Sequence, residues 1–169
     1  MGLRTIVTLP DPVLRRKAHK VPNFDKDLQV LVEDMIETMR AAPGVGLAAP
    51  QVAQSVRLIV VEYGDEEDED APKKLYVLVN PEITEESEEM VTGVEGCLSV
   101  PGLVGDVERC QKVVIKGLNR FGKPTKVKAE AWLARIFQHE IDHLDGILYT
   151  DRATRVWTPN EEEEHLIAD

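Results

Sequence analysis

Residues 138–146 read Gln138-His139-Glu140-Ile141-Asp142-His143-Leu144-Asp145-Gly146. On a helix, the two histidines of this stretch lie on one face about one turn apart, so both imidazoles can bind one metal ion. The glutamate between them can then reach a water that the ion binds. The alternative interpretation is a pair of hydrogen-bonded core histidines, but it leaves a buried Glu140 carboxylate without a compensating charge, which is costly. The stretch therefore predicts a metal-binding helix.

This helix is predicted to cover residues 131–145 and to end at Gly146. Trp132 and Ile136 fall on the same side as the two histidines. Further apolar residues cover a second side: Leu133, Phe137 and Leu144. A helix that is apolar all round is typical of a protein core, so we expect the other elements to enclose it.

Apolar periodicity predicts those other elements. Residues 25–42 carry apolar side chains at helical spacing, and Pro43-Gly44 ends this helix. Strands are predicted at residues 58–63, 75–80, 112–118 and 125–130, the last two paired across a turn at Gly122. The pattern indicates an α+β fold, in which small antiparallel β-sheets surround the buried metal-binding helix and an additional N-terminal helix packs outside.

Two stretches of small residues interrupt the periodic elements. They read Gly44-Val45-Gly46-Leu47-Ala48-Ala49-Pro50-Gln51 and Glu95-Gly96-Cys97-Leu98-Ser99-Val100-Pro101-Gly102. Glycine and proline at this density exclude a regular helix, and small side chains let a backbone approach another group closely. We expect two compact, irregular segments here. The acidic residues 64–74 are expected to form a solvated loop.

Composition limits the class of protein. The chain has 169 residues and a net charge of −11, which suits one domain over residues 1–169, with a core at about 5–152 and a short acidic tail at 153–169. A general nucleic-acid binder would need a basic face, so no nucleic-acid binding is expected. Two cysteines form no disulfide framework, and no run is apolar enough for a membrane helix. These features favour a cytoplasmic enzyme or binding protein with no membrane contact; an organelle source stays open.

A catalytic site of this kind requires a third protein ligand and leaves one position open. A zincin-type metalloendopeptidase would take that ligand from downstream of His143, where only His165 and residues 161–164 in the acidic tail are available. Upstream, Cys97 in its tight small-residue segment is better placed. A small buried hydrophobic residue is the alternative interpretation of Cys97, and we adopt it for Cys110.

Three segments together resemble the signature motifs of the peptide deformylase family, in the family's order. They are residues 44–51, residues 95–99 and residues 138–146. Asp11-Pro12-Val13-Leu14-Arg15 is also similar to the family's opening, and the resemblance covers about residues 5–152. It implies removal of the formyl group from N-formylmethionyl nascent peptides, with release of formate.

The resemblance also implies roles for single residues. Cys97, His139 and His143 match the metal ligands, and the family's metal is commonly Fe2+, with Zn2+ or Ni2+ able to occupy the site. Glu140 matches the general base and acid. The groups that stabilise the oxyanion are matched by the side chain of Gln51 and the backbone N–H of Leu98.

The resemblance further implies a pocket for the methionine side chain. Val45, Trp132, Ile136 and the aliphatic part of Glu95 would line it, and Gly46 would be the closest backbone contact of a peptide bound as an added strand. For Trp132 and Ile136, simple core packing explains the sequence equally well.

Outer partners should orient the histidines. Asp142 is a candidate, although an exposed helix carboxylate fits the sequence as well. The buried-looking Glu95 needs a cation, and Arg109 or Arg135 can supply it; the resemblance favours Arg109.

Two alternatives and one departure from the family are left. A zincin-type endopeptidase gives Cys97 no role, and a non-catalytic binding module would not need both Glu140 and Gln51, which are present.

Some family members carry a long basic C-terminal helix that helps them dock at the ribosome. The tail here is short and acidic, so docking through such a helix is not expected. A transient encounter with the ribosome is the only ribosome interaction that we then expect.

Overall fold

The computed structural model describes residues 2–64 and 72–159. It contains three α-helices: α1 (Lys26–Ala41), α2 (Ala131–Leu144) and α3 (Tyr149–Arg152). Eight strands are present: β1 (Gly46–Ala48), β2 (Leu58–Tyr63), β3 (Lys74–Glu86), β4 (Met90–Cys97), β5 (Val100–Cys110), β6 (Lys112–Leu118), β7 (Pro124–Glu130) and β8 (Arg155–Trp157). Short 3₁₀ turns cover Pro12–Arg15 and Ala49–Val52.

The strands form two antiparallel sheets. The larger has the order β1-β2-β3-β6-β7, and the smaller has the order β4-β5-β8. Helix α2 contacts β1, β2, β6 and β7 of the larger sheet as well as β5 of the smaller one. The α+β prediction, with antiparallel sheets around the central helix, is therefore confirmed.

The two faces of β2 show how the layers are built. Ile59 and Val61 pack into the cluster that contains the apolar side of α2. Leu58 and Val60 point the other way, into the cluster formed with α1. Because side chains alternate along a strand, the larger sheet lies between the two helices. The N-terminal helix thus packs outside, as predicted.

Helix α2 is buried although its sequence is not apolar all round. Six of its buried residues are polar or charged: Arg135, Gln138, His139, Glu140, Asp142 and His143. Every residue from Ala134 to Leu144 is buried. Gly146, with φ 75°, follows the helix, and a Cβ there would lie 2.6 Å from the carbonyl oxygen of Arg15. Both the left-handed backbone and the lack of space require glycine at this position. The predicted end of the helix is confirmed.

The small-residue stretches are more regular than expected. Residues 46–48 form strand β1, and residues 95–97 belong to β4, which pairs with β5 from Met90 to Cys97. The prediction of irregular segments was wrong there, because small side chains fit a paired strand as well as a loop. Only Leu98 and Ser99 form the turn between β4 and β5.

Other predictions are adjusted at their edges. Strand β3 continues to Glu86, with two register shifts against β6. The segment at 155–157, which the sequence analysis placed in the tail, forms β8 and pairs with β5. Most of the acidic loop, residues 65–71, and the acidic tail from residue 160 lie outside the described residues.

Within residues 2–64 and 72–159, no helix is long and apolar enough to cross a membrane.

Candidate active site

The structure brings the three predicted ligands together in the core. One ligand atom from each of Cys97, His139 and His143 lies within 4.8 Å of the others, and all three residues are buried. His139 and His143 come from adjacent turns of α2. Cys97 is the last residue of β4, and a register shift between Gly96 and Cys97 starts the turn into β5.

This donor set fits a divalent metal ion. Sγ of Cys97 lies 3.3 Å from Nε2 of His143. Tetrahedral bonds to one sulfur and one nitrogen ligand would place those two atoms about 3.5 Å apart. A thiolate with two imidazoles is a ligand combination that zinc and iron accept. The group therefore has the chemistry and the spacing of a three-ligand metal site.

The two imidazoles differ in their surroundings. Burial lowers the pKa of His143 well below its ordinary value, and the nearby charges of His139 and Arg109 lower it further. Burial acts the same way on His139, but contacts with Cys97 and Glu95 outweigh it and raise its pKa. A metal ion binds the neutral imidazole, so metal binding at this site competes with protonation of His139.

Glu95 holds the first histidine ligand in place. Its fully buried carboxylate contacts Nδ1 of His139 at 2.8 Å, which leaves Nε2 of that ring for the metal. Arg109 donates to both Glu95 oxygens, at 2.9 and 2.8 Å, and Arg135 donates to one of them at 2.7 Å. Burial raises the pKa of Glu95, but the bonds from Arg109 and His139 lower it far below its usual range. Glu95 is therefore a buried, charged acceptor.

Both candidate cations for Glu95, Arg109 and Arg135, donate hydrogen bonds to its carboxylate. The resemblance favoured Arg109, which is confirmed as a partner of Glu95, and Arg135 is a second one. Arg135 also donates to the carbonyls of Val107 and Val91, at 2.9 and 2.6 Å, and so ties α2 to β4 and β5. A Cβ at Gly93 would lie 2.8 Å from Cζ of Arg135, so a glycine is needed beneath its guanidinium.

Asp142 acts on the site through Arg109. Its carboxylate accepts from Nη1 of Arg109 at 2.6 Å and from Arg152 at 2.6 and 3.0 Å. Burial lowers the pKa of Arg109, but Glu95 and Asp142 outweigh it and raise that pKa. Asp142 is mostly buried and does not contact a histidine in this arrangement, so its predicted role in orienting the ligands is indirect.

We expect Arg135→Met to lower the free energy of unfolding by about 3 kcal/mol, since it removes one partner from a buried ion pair. It also leaves two strand carbonyls without this donor. Arg40→Met is a matched control, because Arg40 forms a two-bond pair with Glu62 but its side chain is 56% exposed. Its cost should stay below about 1 kcal/mol. Urea unfolding of both variants measures the difference; equal costs would contradict the role given to burial.

Glu140 lies beside the ligands, with 1% of its surface exposed. Its carboxylate rests against the backbone of β1. A Cβ on Gly46 would lie 2.5 Å from Oε2 of Glu140 and 3.0 Å from its Cδ. Residue 46 must therefore be glycine for the carboxylate to take this place.

Gln51 comes to the site from the 3₁₀ turn after β1. Its Oε1 accepts from the N–H of Ala48 at 3.0 Å, and its Nε2 lies 3.6 Å from Sγ of Cys97 and 3.2 Å from Oγ of Ser99. Leu98 follows Cys97 in the turn, and a Cβ on Gly44 would meet its Cδ1 at 3.4 Å. The segments that carry Gln51 and Leu98 thus meet at the metal site.

The predicted pocket residues lie along one cluster. Ile136 belongs to the buried core, and Val45 and Trp132 pack against the same cluster from its partly buried edge. Glu95 is fully buried and its oxygens are occupied by Arg109, Arg135 and His139. Ile136 packs as core, while Val45 and Trp132 keep exposed surface that a ligand can use.

Three contacts of the site were missed by sequence reasoning. Ser99 lies in the segment 95–99 but was given no role, and it is fully buried beside Gln51. Arg152 was not considered. Tyr149 stacks on His139, with ring centroids 6.2 Å apart, and its hydroxyl donates to the carbonyl of Leu103 at 2.9 Å. The available signal for Tyr149 was its position beside Leu148, because these two large residues follow soon after Gly146 and the end of α2.

Cys110 takes no part in the metal group. It is partly buried at the end of β5, with Sγ 3.8 Å from Oε2 of Glu86. Its interpretation as a packing residue is consistent with this position. The tail residues that a zincin-type ligand set would need, residues 161–165, lie outside the described residues.

Comparison with known proteins gives one consistent result. The family model described as polypeptide deformylase matches residues 3–158. A peptide deformylase of Symbiobacterium thermophilum is 53% identical over 97% of this chain and 73% of its own length. One of Natranaerobius thermophilus is 49% identical over 98% of this chain and all of its own. The crystal structure of a Legionella pneumophila peptide deformylase superposes with a TM-score of 0.81 at 46% identity, covering 90% of this chain and 86% of that one.

Proposed function

The chain belongs to the polypeptide deformylase family, and from this premise we propose how its site removes the formyl group from the N-terminal methionine of newly synthesised polypeptides. The enzyme is a hydrolase that releases formate and leaves a free amine. One observation carries the assignment of its residues: Cys97, His139 and His143 form a buried three-ligand group. Glu140 lies beside that group.

Cys97, His139 and His143 would hold one divalent ion, and Glu95 keeps His139 oriented for it. Such an ion lowers the pKa of water and polarises a carbonyl oxygen. Iron in the ferrous state is the ion we propose for the cell, with Zn2+ or Ni2+ able to replace it, because a thiolate and two imidazoles suit all three.

Glu140 provides the proton transfers. Its carboxylate takes a proton from the attacking water and returns it to the leaving amine, so one group serves as base and then as acid. The close approach of Gly46 keeps the carboxylate next to the histidine pair.

Gln51 and Leu98 stabilise the charge that develops on the formyl oxygen. The amide N–H of the Gln51 side chain and the backbone N–H of Leu98 are fixed donors. One well-aimed donor of this kind contributes about 3 kcal/mol to the transition state.

The methionine side chain enters a pocket bounded by Val45, Trp132, Ile136 and the stem of Glu95. Support comes from the packing of Val45 and Trp132 on the cluster that contains Ile136. The peptide backbone then lies along β1, whose Gly46 offers the closest approach. Strand β1 is at the edge of the larger sheet, and β2 is the one strand of the described residues that pairs with it, so a peptide can add on its other side.

The substrates are nascent chains, so we place the enzyme in the cytoplasm, where it meets the ribosome transiently. The relatives from Symbiobacterium and Natranaerobius support a bacterial setting. The zincin-type endopeptidase gains no support from the family model and the relatives named above, which are deformylases.

The test is metal removal and replacement under anaerobic conditions. We expect a chelator to abolish formate release from a formyl-methionyl peptide, and Fe2+, Ni2+ or Zn2+ to restore it to different degrees. Metal analysis of the purified protein should give one ion per chain. Full activity of the metal-free protein would contradict the proposal.

We expect Gly46→Ala to lower kcat for formate release by about a hundredfold, because the new methyl group would push the Glu140 carboxylate from its place. Metal content should not change, since Gly46 is not one of the three grouped ligand residues. Gly2→Ala is the matched control, as a Cβ there meets nothing within 4 Å. Wild-type kcat in Gly46→Ala would show that the approach of Gly46 to Glu140 is not needed.

A further inference from the structure

We propose that Ser99 is a positioning residue that aims the Gln51 amide at the reacting carbonyl. Oγ of Ser99 accepts a hydrogen bond from Nε2 of Gln51 at 3.2 Å. Ser99 is fully buried, so the contact is shielded from bulk water. The proposal rests on the function proposed above and deepens it, since it concerns how Gln51 is held.

The orientation of the Gln51 amide is fixed from its other side. Oε1 accepts from the backbone N–H of Ala48 at 3.0 Å. Only one of the two amide orientations makes that bond, so Nε2 must face Ser99 and Cys97. The side chain therefore cannot exchange its oxygen and nitrogen without losing a buried hydrogen bond.

Nε2 carries two hydrogens, and they have different tasks. One points to the Ser99 hydroxyl. The other is directed toward Sγ of Cys97, 3.6 Å away, and so toward the centre of the site. The contact with Oγ of Ser99, at 3.2 Å, is the shorter of the two, so Ser99 is the contact that keeps the amide from rotating. The second hydrogen stays available for the substrate oxygen.

The backbones behind these two side chains are joined by the N-terminal segment. The N–H of Val7 donates to the carbonyl of Gln51 at 2.8 Å, and the N–H of Leu9 donates to the carbonyl of Ser99 at 3.0 Å. Residues 7–9 thus connect the 3₁₀ turn with the turn between β4 and β5. This connection holds the Ser99 hydroxyl opposite the Gln51 amide.

A different role for Ser99 would be to shape the turn that carries Cys97, two residues before it. That role predicts weaker metal binding and the same loss of activity whether Gln51 is present or not. If Ser99 instead aims Gln51, metal binding should be unchanged, and the loss of activity should depend on the presence of Gln51. The two roles can therefore be separated by metal retention and by a double-mutant cycle.

The experiment compares wild type, Ser99→Ala, Gln51→Ala and the double variant, each loaded with Ni2+. We expect Ser99→Ala to lower kcat about tenfold, with KM changed less than twofold and an unchanged rate of Ni2+ loss to a chelator. In the Gln51→Ala background the same change should cost less than twofold. Ser55→Ala is the control, because Oγ of Ser55 is buried without a hydrogen-bond partner among the described residues; it should keep wild-type kcat.

Several results would overturn the proposal. They are a kcat of Ser99→Ala within twofold of wild type, an equal loss in both backgrounds, faster Ni2+ loss, or a variant that does not fold. Failure of the proposed function would appear differently, as no formate release by the wild-type enzyme or full activity of Gln51→Ala.

Discussion

Glu140→Gln is expected to bind its metal normally and to lose about a thousandfold in kcat. The amide has nearly the same shape as the carboxylate, but it cannot accept a proton from water, and a positioned base of this kind contributes about 10²- to 10⁴-fold. Glu140 is not one of the three grouped ligand residues, so metal content should stay at the wild-type value. Formate release and metal analysis on the same preparation measure both quantities.

The control for this variant is Glu130→Gln. Glu130 precedes α2, and its side chain is 71% exposed. It should keep wild-type kcat. Activity of Glu140→Gln within tenfold of wild type would remove Glu140 as the base, whereas loss of the metal together with activity would make it a ligand.

Cys97→Ala is expected to lose the metal and, with it, nearly all formate release. Changes in the outer partners of a metal site usually weaken binding tenfold to a hundredfold, so removal of one of three ligands should cost at least about a hundredfold. Equilibrium dialysis against a metal buffer measures the affinity directly. The effect on kcat should follow the fraction of enzyme that still contains metal.

Cys110→Ala is the matched control, since Cys110 is the second free cysteine and lies outside the ligand group. It should keep both metal and activity. If Cys97→Ala retained full metal content and activity, the ligand set proposed here would be wrong. A downstream ligand would then have to be sought.

Helix α2 could be predicted almost to the residue, because local information determines it. Its apolar periodicity, the histidine spacing and the final glycine all lie within sixteen consecutive residues, 131–146. Helix α1 is similar: Asp25 accepts from the N–H of Leu28 at 3.0 Å and caps the predicted start.

Strand β4 was harder to predict, since its identity depends on its partner. Gly93, Gly96 and Cys97 have little intrinsic preference for a strand, and pairing with β5 decides their conformation. For residues 95–97, local propensity therefore indicated an irregular segment where the tertiary structure forms a ladder.

The third ligand could not be derived from spacing alone. Cys97 meets the histidines only because β4 packs against α2, and the family resemblance supplied that link. The contacts of Ser99 and the second arginine on Glu95 depend on the same packing. Gly93 shows the limit most clearly: its small size matters because the guanidinium of Arg135 lies above it, and no local pattern indicates this.

The most direct test of the account is to incubate the metal-loaded enzyme with one formyl-methionyl peptide and follow formate and peptide fragments by mass spectrometry. We predict one product besides formate, the intact peptide with a free methionine amine. Cleavage of an internal peptide bond with the formyl group retained would contradict the assignment as a deformylase.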